Sequence, residues 1–466
     1  MDAYAWAHQH FYGVHLPDER LKGRLVETAA SIRQNPCGTL PRAFAEPAAL
    51  KGAYRLFAHA TVTHDRVLQA HLDLTHATCR EPGAYLMLED TTDLSFSHRG
   101  KVTGMGPLTD ATSQGFLAHT CLAVRIERWD DALPEVMPIG LFGQECWARK
   151  IPEGTRKQRK KAKRQQKNTG AYHPESERWG RSLFTAPSPP PDAQWTLVAD
   201  RESDIYGLMA QCAQRGLGYI LRAMHPRKVL SGEQDVFAAA SQAPVLGRFS
   251  LSLRSRPGVS ARKAVLDVRM VCVTVRPPRE NPKGFAPLPV HLVEVCEANV
   301  PEGVKPVHWL LLTNWPCADF EHAMRVVQGY ACRWLIEEYH KAVKTGTHLE
   351  DSQLSTFDRV AALFAIHAVV AVELLRMKLL ARTRPDEPVR EDEFAPELFE
   401  VLEAYFGRPA AGWTYDTLIR MIARLGGYLN RKHDGPPGWL SIWRGWQKLT
   451  VMAEGYTIAL QHKRYG

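Results

Sequence analysis

Two short apolar runs each close on a carboxylate, and this pairing constrains the chain more than any other feature. Tyr85-Leu86-Met87-Leu88 runs into Glu89-Asp90-Thr91-Thr92, and Trp195-Thr196-Leu197-Val198-Ala199 runs into Asp200-Arg201-Glu202-Ser203-Asp204. Apolar runs of this length, bounded by polar residues, suit buried strands rather than helices. In an α/β sheet, ligands gather at the carboxyl ends of the strands. Asp90 and Asp200 are thus expected where a carboxylate is held rigidly and still meets solvent. Each also has a plainer reading, Asp90 as the start of a turn and Asp200 as the cap of a helix beginning near Ser203.

A third acid lies far downstream. Tyr330, Arg333, Glu337 and Lys344 stand at offsets 0, +3, +7 and +14. At about 100° per residue on one helix they fall within roughly 60° of each other. Ala331, Leu335 and Ala342 point elsewhere, toward a packed side. The helix face so formed carries a carboxylate between two cations. A carboxylate can hold a divalent metal, and Arg and Lys suit phosphate oxygens. A solvated helix laced with i,i+3 and i,i+4 charge pairs would give the same spacing. With Asp90 and Asp200, Glu337 makes an Asp, Asp, Glu set on two strands and a helix, a set suited to phosphodiester chemistry.

Six segments, in order, resemble the DDE transposases of the insertion-sequence-four family, with its Tyr-Arg-Glu-Lys signature. They are Glu89-Asp90-Thr91-Thr92, Asp200-Arg201-Glu202 with Asp204-Ile205, His225-Pro226-Arg227, Trp309-Leu310-Leu311-Leu312-Thr313, Arg333-Trp334 through Lys344-Thr345-Gly346, and Ala423-Arg424-Leu425-Gly426-Gly427. The resemblance runs from about Trp6 to the carboxyl-terminal residues. It implies an α/β fold with an RNase H-like mixed-sheet catalytic core, a β-sheet insertion, and helical domains at both ends.

Composition agrees with an anionic partner. The 466 residues carry 59 Lys and Arg against 50 Asp and Glu, a net charge of +9, which favours nucleic acid without demanding it. A chain this long suggests two or three domains. The nine cysteines are scattered with no zinc spacing, as a reducing cytoplasm permits. Residues 1–14 lack the pattern of a secretory signal. The most apolar stretch, 360–372, is too short to span a bilayer and contains His367, read as a core histidine. A soluble, cytoplasmic protein acting at the bacterial nucleoid is expected, with no membrane partner.

Along the chain, residues 1–78 read as a helical DNA-end-binding unit. Its helices are expected from Asp18 to before Pro36, over 47–57 and over 63–77. Arg20, Lys22, Arg24, Arg33, Arg42, Lys51 and Arg55 make it basic. Residues 79–224 form the first part of the core, with strands over 85–89, 116–124, 138–145, 195–199 and 218–222. Within it, 156–167 is a basic run, Lys160 and Lys161 among its charges, read as a DNA-backbone contact or as plain surface. Residues 225–307 are the β-rich insertion, with strands over 248–253, 265–275 and 290–296 separated by proline-rich turns. Residues 308–375 complete the core, and 376–466 form a helical dimerisation domain in which Trp413, Trp439, Trp443 and Trp446 are mostly core.

The resemblance further implies roles. Asp90, Asp200 and Glu337 would hold two Mg²⁺ ions, replaceable by Mn²⁺, since oxygen-only ligation disfavours zinc. Tyr330, Arg333 and Lys344 would hold phosphates. Trp309 would stack on a base flipped from the DNA end, or else be a buried strand aromatic. Arg222 and Arg227 match basic positions near that end, or are ordinary surface. Glu338 lies off the motif face, and Glu202 and Asp204 read as caps. The partners implied are double-stranded transposon ends, target DNA and a second copy of the chain. Rival readings are a domesticated DNA-binding protein that no longer cuts, a structure-specific nuclease on the same fold, and a glycosidase, which the basic surroundings of Glu337 disfavour.

Overall fold

The computed structural model describes every residue except 1, 37–38, 45, 97–101, 110–111, 131–132, 151–174, 233, 254–259, 281–282, 348, 391–393, 411 and 466, together with the side chains of 461–465. The basic run 156–167, with Lys160 and Lys161, lies outside the described residues.

Side-chain caps start the first helices. Asp2 accepts from the Ala5 N–H to open α1 (Ala3–Phe11), and Asp18 accepts from Arg20 to open α2 (Glu19–Gln34). The short α3 (Leu40–Ala43) and α4 (Pro47–Ala58) carry proline in the first turn, where a missing N–H costs nothing. Thr63 caps α5 (His64–Thr78). The periodic runs foreshadow α2, α4 and α5, but not α1, whose short stretch of alanines, histidines and aromatics carries no clear stripe.

The strands are β1 (Gly83–Ser95), β2 (Gly106–Pro107), β3 (Gln114–Arg128), β4 (Glu135–Trp147), β5 (Ala193–Ala199), β6 (Gly218–Arg222), β7 (Val245–Leu253), β8 (Arg262–Val275), β9 (Leu288–Glu297) and β10 (His308–Thr313). All ten belong to one sheet, ordered β2-β3-β1-β5-β6-β10-β9-β8-β7, with β4 also on β3. β1, β5 and β6 pair in parallel, and the other pairings are antiparallel. The run β4-β3-β1-β5-β6 is an RNase H-like core. The β-rich segment does not stand apart from it: β9 pairs with β10 along its length, so β7–β9 prolong the same sheet.

Each face of the sheet has its own core. On one face Leu86, Leu88, Val198, Ile220 and Leu311 meet the helices of both ends of the chain. On the other, Tyr85, Met87, Leu197, Tyr219 and Leu310 are covered by α6 (Arg181–Thr185), α7 (Tyr206–Gln214) and α8 (Val236–Gln242). The first face carries α9 (Phe320–Ala331), α10 (Trp334–Lys341), a π-helical turn over Ala342–Gly346, α11 (Phe357–Thr383), α12 (Pro396–Phe406), α13 (Tyr415–Leu425) and α14 (Trp439–Tyr465).

Sequence length understated α11. Its 27 residues suffice to cross a membrane by length and composition, yet 89% of its most apolar window is buried inside the protein. It is the central helix of the larger core. His367 on it is buried, as expected of a core histidine. Trp439, Trp443 and Trp446 are buried too, while Trp413 is half-buried and donates its indole N–H to Glu403.

Candidate active site

Asp90 and Asp200 come together through strand register. β1 and β5 pair from Gly83↔Ala193 to Leu88↔Val198, a constant offset of 110 residues (193 − 83 = 198 − 88 = 110), and 90 + 110 = 200. The two carboxylates therefore stand at equivalent points of adjacent parallel strands. Asp200 directly follows β5 and accepts from the Glu202 N–H at 2.9 Å, starting a short turn over Arg201–Ser203. Its ligand reading and its capping reading both have a geometric basis.

Asp90 requires a correction. It does not end a strand, because β1 continues to Ser95, kept in the sheet by its ladder with β3. Asp90 lies level with the end of β5 instead. Alternation along β1 turns it to the same face as Leu88, beneath α10, whereas Glu89 points to the opposite core, fully buried, accepting from the Gly180 N–H at 2.7 Å. Asp90 Oδ1 accepts from the Thr91 N–H at 2.8 Å.

The signature segment is not one regular helix. α9 ends at Ala331, and the chain passes through Cys332 and Arg333 on tight i→i−3 bonds, Arg333 N–H to Tyr330 C=O at 3.0 Å and Leu335 N–H to Cys332 C=O at 2.9 Å. α10 follows, then the π turn that holds Lys344. These changes of pitch rotate the four residues apart. Tyr330 turns inward and is buried, its ring edge-on to that of half-buried Trp309 at 5.1 Å. Arg333 and Glu337 remain toward Asp90, and Lys344 is exposed on the π turn.

Arg333 bridges two of the carboxylates. One guanidinium nitrogen lies 3.7 Å from Asp90 Oδ2, and another bonds Glu337 Oε1. His340, buried on α10, brings Nδ1 to 3.9 Å from Asp90 Oδ2. Burial raises the Asp90 carboxyl to about 6. The Thr91 N–H and Arg333 oppose that rise, and the charges of Asp200 and Glu337 add to it. Three acids thus share one electrostatic neighbourhood, Asp90 and Asp200 half-buried and Glu337 exposed. Burial also raises the Tyr330 phenol, against the pull of Arg333 and Arg222, with Asp200 again adding. Arg222 donates to the His308 C=O at 2.8 Å, so it too borders this cluster. The charge of Lys344 is felt by His340, which burial chiefly lowers to about 3.

Arg227 stands apart. Its guanidinium pairs at 2.7 Å with Asp204, whose side chain is fully buried and also accepts the N–H groups of Met224 and His225. Asp204 ends the short turn over Arg201–Ser203 as its C-cap but does not cap α7, whose N-cap position is Ile205; its side chain anchors the loop after β6.

Among the described residues no three His, Cys, Asp or Glu side chains are already converged as a metal cage. The donor set nevertheless suits a hard divalent cation. It is all oxygen, burial raises the Asp90 carboxyl with the charges of Asp200 and Glu337 adding to that rise, and Arg333 lies between Asp90 and Glu337 as a countercharge.

Glu338, off the motif face, has a structural task of its own. Glu338 accepts from Lys378 at 2.7 Å, Lys341 at 2.9 Å and the Trp439 indole at 2.9 Å, tying α10 to α11 and α14. Burial alone would raise its carboxyl, but the two lysines hold it down to about 2. Its one visible sign was Lys341 at i+3. Gln144 and Tyr339, whose side chains meet beneath α10, had none.

Comparison with known families finds two matches. Residues 3–62 match the family described as Transposase DNA-binding, and residues 369–466 match the Transposase Tn5 dimerisation domain. The first covers α1–α4 and the second runs from within α11 to the end of the chain. Together the two matches support a Tn5-like DNA transposase that binds DNA and dimerises, with the RNase H-like core between them.

Proposed function

We propose that this chain is a DDE transposase of the insertion-sequence-four type. It would bind the terminal inverted repeats of its element, cut both ends through a hairpin intermediate, and join the 3′ ends to target DNA. The observation that carries this reading is the shared electrostatic neighbourhood of Asp90, Asp200 and Glu337 in an RNase H-like core. DNA-binding and dimerisation matches on either side support it. The site of action would be the cytoplasm, at the nucleoid.

In this reading Asp90, Asp200 and Glu337 hold a pair of Mg²⁺ or Mn²⁺ ions, which supply Lewis-acid activation of the nucleophile and charge stabilisation of the leaving oxygen. Arg333 releases its hold on the acids and turns its fork to a phosphate, a geometry that a guanidinium suits better than an ammonium. Lys344 neutralises phosphate charge beyond the π turn. Arg222 does the same beside β10, with Tyr330 packed under the bound strand. Trp309 offers a half-buried ring on which a displaced base can stack. Arg227 acts at one remove, by fixing with Asp204 the loop that follows Arg222. Lys160 and Lys161 add backbone contacts.

The test uses purified protein and a plasmid carrying the DNA that flanks its reading frame. Mg²⁺-dependent excision is expected, with Glu337→Ala reducing the rate by about 10³-fold or more while leaving DNA binding intact. Bound but uncut DNA with the wild-type protein would instead support a non-cutting DNA-binding protein. Cleavage without strand joining would support a nuclease on this fold.

A further inference from the structure

Asp90, Thr120 and Gln144 form a straight row across three strands. Thr120 is the direct partner of Asp90 in the β1–β3 ladder and of Gln144 in the β3–β4 ladder. The Gln144 amide nitrogen donates to the Thr120 hydroxyl at 2.9 Å and to the Tyr339 hydroxyl at 3.2 Å. Its amide oxygen meets His64 Nε2 at 3.1 Å. All four side chains are buried. Tyr339 lies two residues beyond Glu337 on α10, and His64 is the first residue of α5. One amide therefore touches the row that carries Asp90, the helix that carries Glu337, and the helix that leads out of the amino-terminal unit.

α5 is docked on the same strand at further points. β4 carries an extra residue at Phe142, where the ladder slips from Cys121↔Gly143 to Leu122↔Leu141. A bulge leaves ladder groups unpaired. Here the Leu141 N–H donates to His71 Nε2 at 3.0 Å, and the Phe142 C=O meets His76 Nε2 at 2.8 Å. β4 thus serves as the common rail for α5 and, through Gln144, for α10.

We propose that Gln144 is a positioning residue that sets the height of α10 over β1, and so the separation of Glu337 from Asp90. This deepens the transposase reading and rests on it. A buried amide adds little net stability, but its bonds are directional, and three of them at once fix geometry in a way that an apolar side chain cannot. Among the described residues Gln144 bonds to Thr120, Tyr339 and His64 and to none of Asp90, Asp200, Glu337, Arg333 and Lys344, so its effect must pass through Tyr339 and Thr120.

The experiment compares full-length wild type, Gln144→Met, Tyr339→Phe and the double variant on linear DNA carrying the flanking sequence. Affinity for that DNA and the cleavage rate of bound DNA are measured separately. Amide hydrogen exchange over residues 334–341 is followed with and without DNA. The expected result for Gln144→Met is unchanged affinity, a cleavage rate lower by about 10–100-fold, and faster exchange across α10. Tyr339→Phe moves both readouts in the same direction by less, and the double variant is no worse than Gln144→Met alone. Wild-type exchange in both variants, additive losses, or affinity and rate falling together would overturn the proposal. If Gln144→Met does not fold, Tyr339→Phe, which removes one hydroxyl, decides the question. If wild type binds this DNA without cutting it, the transposase reading fails, and the exchange readout still decides the role of Gln144.

Discussion

His10 and His71 face each other through their Nδ1 atoms at 3.0 Å, inside the amino-terminal helices. His71 Nε2 already accepts from Leu141, so the contact holds together only while the pair stays neutral. Burial, then the nearby Arg33, lowers His10 to about 4, and burial followed by His10 and His76 lowers His71. Burial also takes His340 and His367 down to about 3. In the unfolded chain these groups titrate near 6.5. As pH falls from 6.5 toward 4 the unfolded state takes up protons that the folded state refuses, so stability is full above that window and declines through it. For His10 alone the decline amounts to about 2–3 kcal/mol. Carboxylates such as Glu338, held down to about 2, lose their contribution only at lower pH. Urea unfolding followed from pH 7.5 to pH 5 is therefore expected to show a falling midpoint. His10→Asn, which keeps an acceptor for His71, should reduce the slope, and an unchanged slope would remove this pair from the account.

Glycines decide how the last helices cross. A Cβ on Gly445 of α14 would overlap the Ile422 carbonyl oxygen of α13, and one on Gly426 would overlap the Ser441 carbonyl oxygen. Gly445→Ala is expected to push the two helices apart at a cost of about 1–3 kcal/mol. Gly455→Ala, on the exposed side of α14 with nothing within 4 Å, is expected to be neutral or slightly stabilising. Thermal midpoints of the two variants check this, and equal midpoints would refute it. The same crossing explains part of what was readable beforehand. Gly426 stands in one of the six segments that carry the resemblance, but its partner Ser441 is fifteen residues away (441 − 426 = 15) and carries no local signal. The core strands were readable because each is an apolar run bounded by turn residues, and α2, α4 and α5 because caps and prolines mark their starts. The signature segment departs from the single face its spacing predicts because the chain does not keep a 3.6-residue pitch through it. Its π turn ends at Gly346, against which the Trp443 ring packs so closely that a Cβ would overlap it. The pitch there depends on a tryptophan about a hundred residues downstream. Asp90 was recognised as an acid at the edge of an apolar run, but the length of β1 is set by β3, whose register no single segment encodes.

The whole molecule presents one apolar surface that suits the dimerisation match. Leu440, Val451 and Ile458 on α14 are 52%, 67% and 57% exposed. At about 100° per residue they lie within roughly 20° of one another, one stripe along the helix. Val451→Glu with Ile458→Glu is expected to shift a sedimenting dimer to monomer and to abolish coordinated cutting of paired ends, while binding to a single end persists. A variant that stays dimeric would move the interface elsewhere. A different consequence follows from α11, which packs against α2, α4 and α5. It begins 293 residues after α5 does (357 − 64 = 293). On the ribosome, at ~5–20 residues per second, the sides of the amino-terminal helices that α11 covers must wait about 15–60 s for it. Through that interval their apolar sides are open to chaperones, to other nascent chains and to proteases. The yield of active protein should therefore depend on the pace of translation as much as on the final stability of the fold.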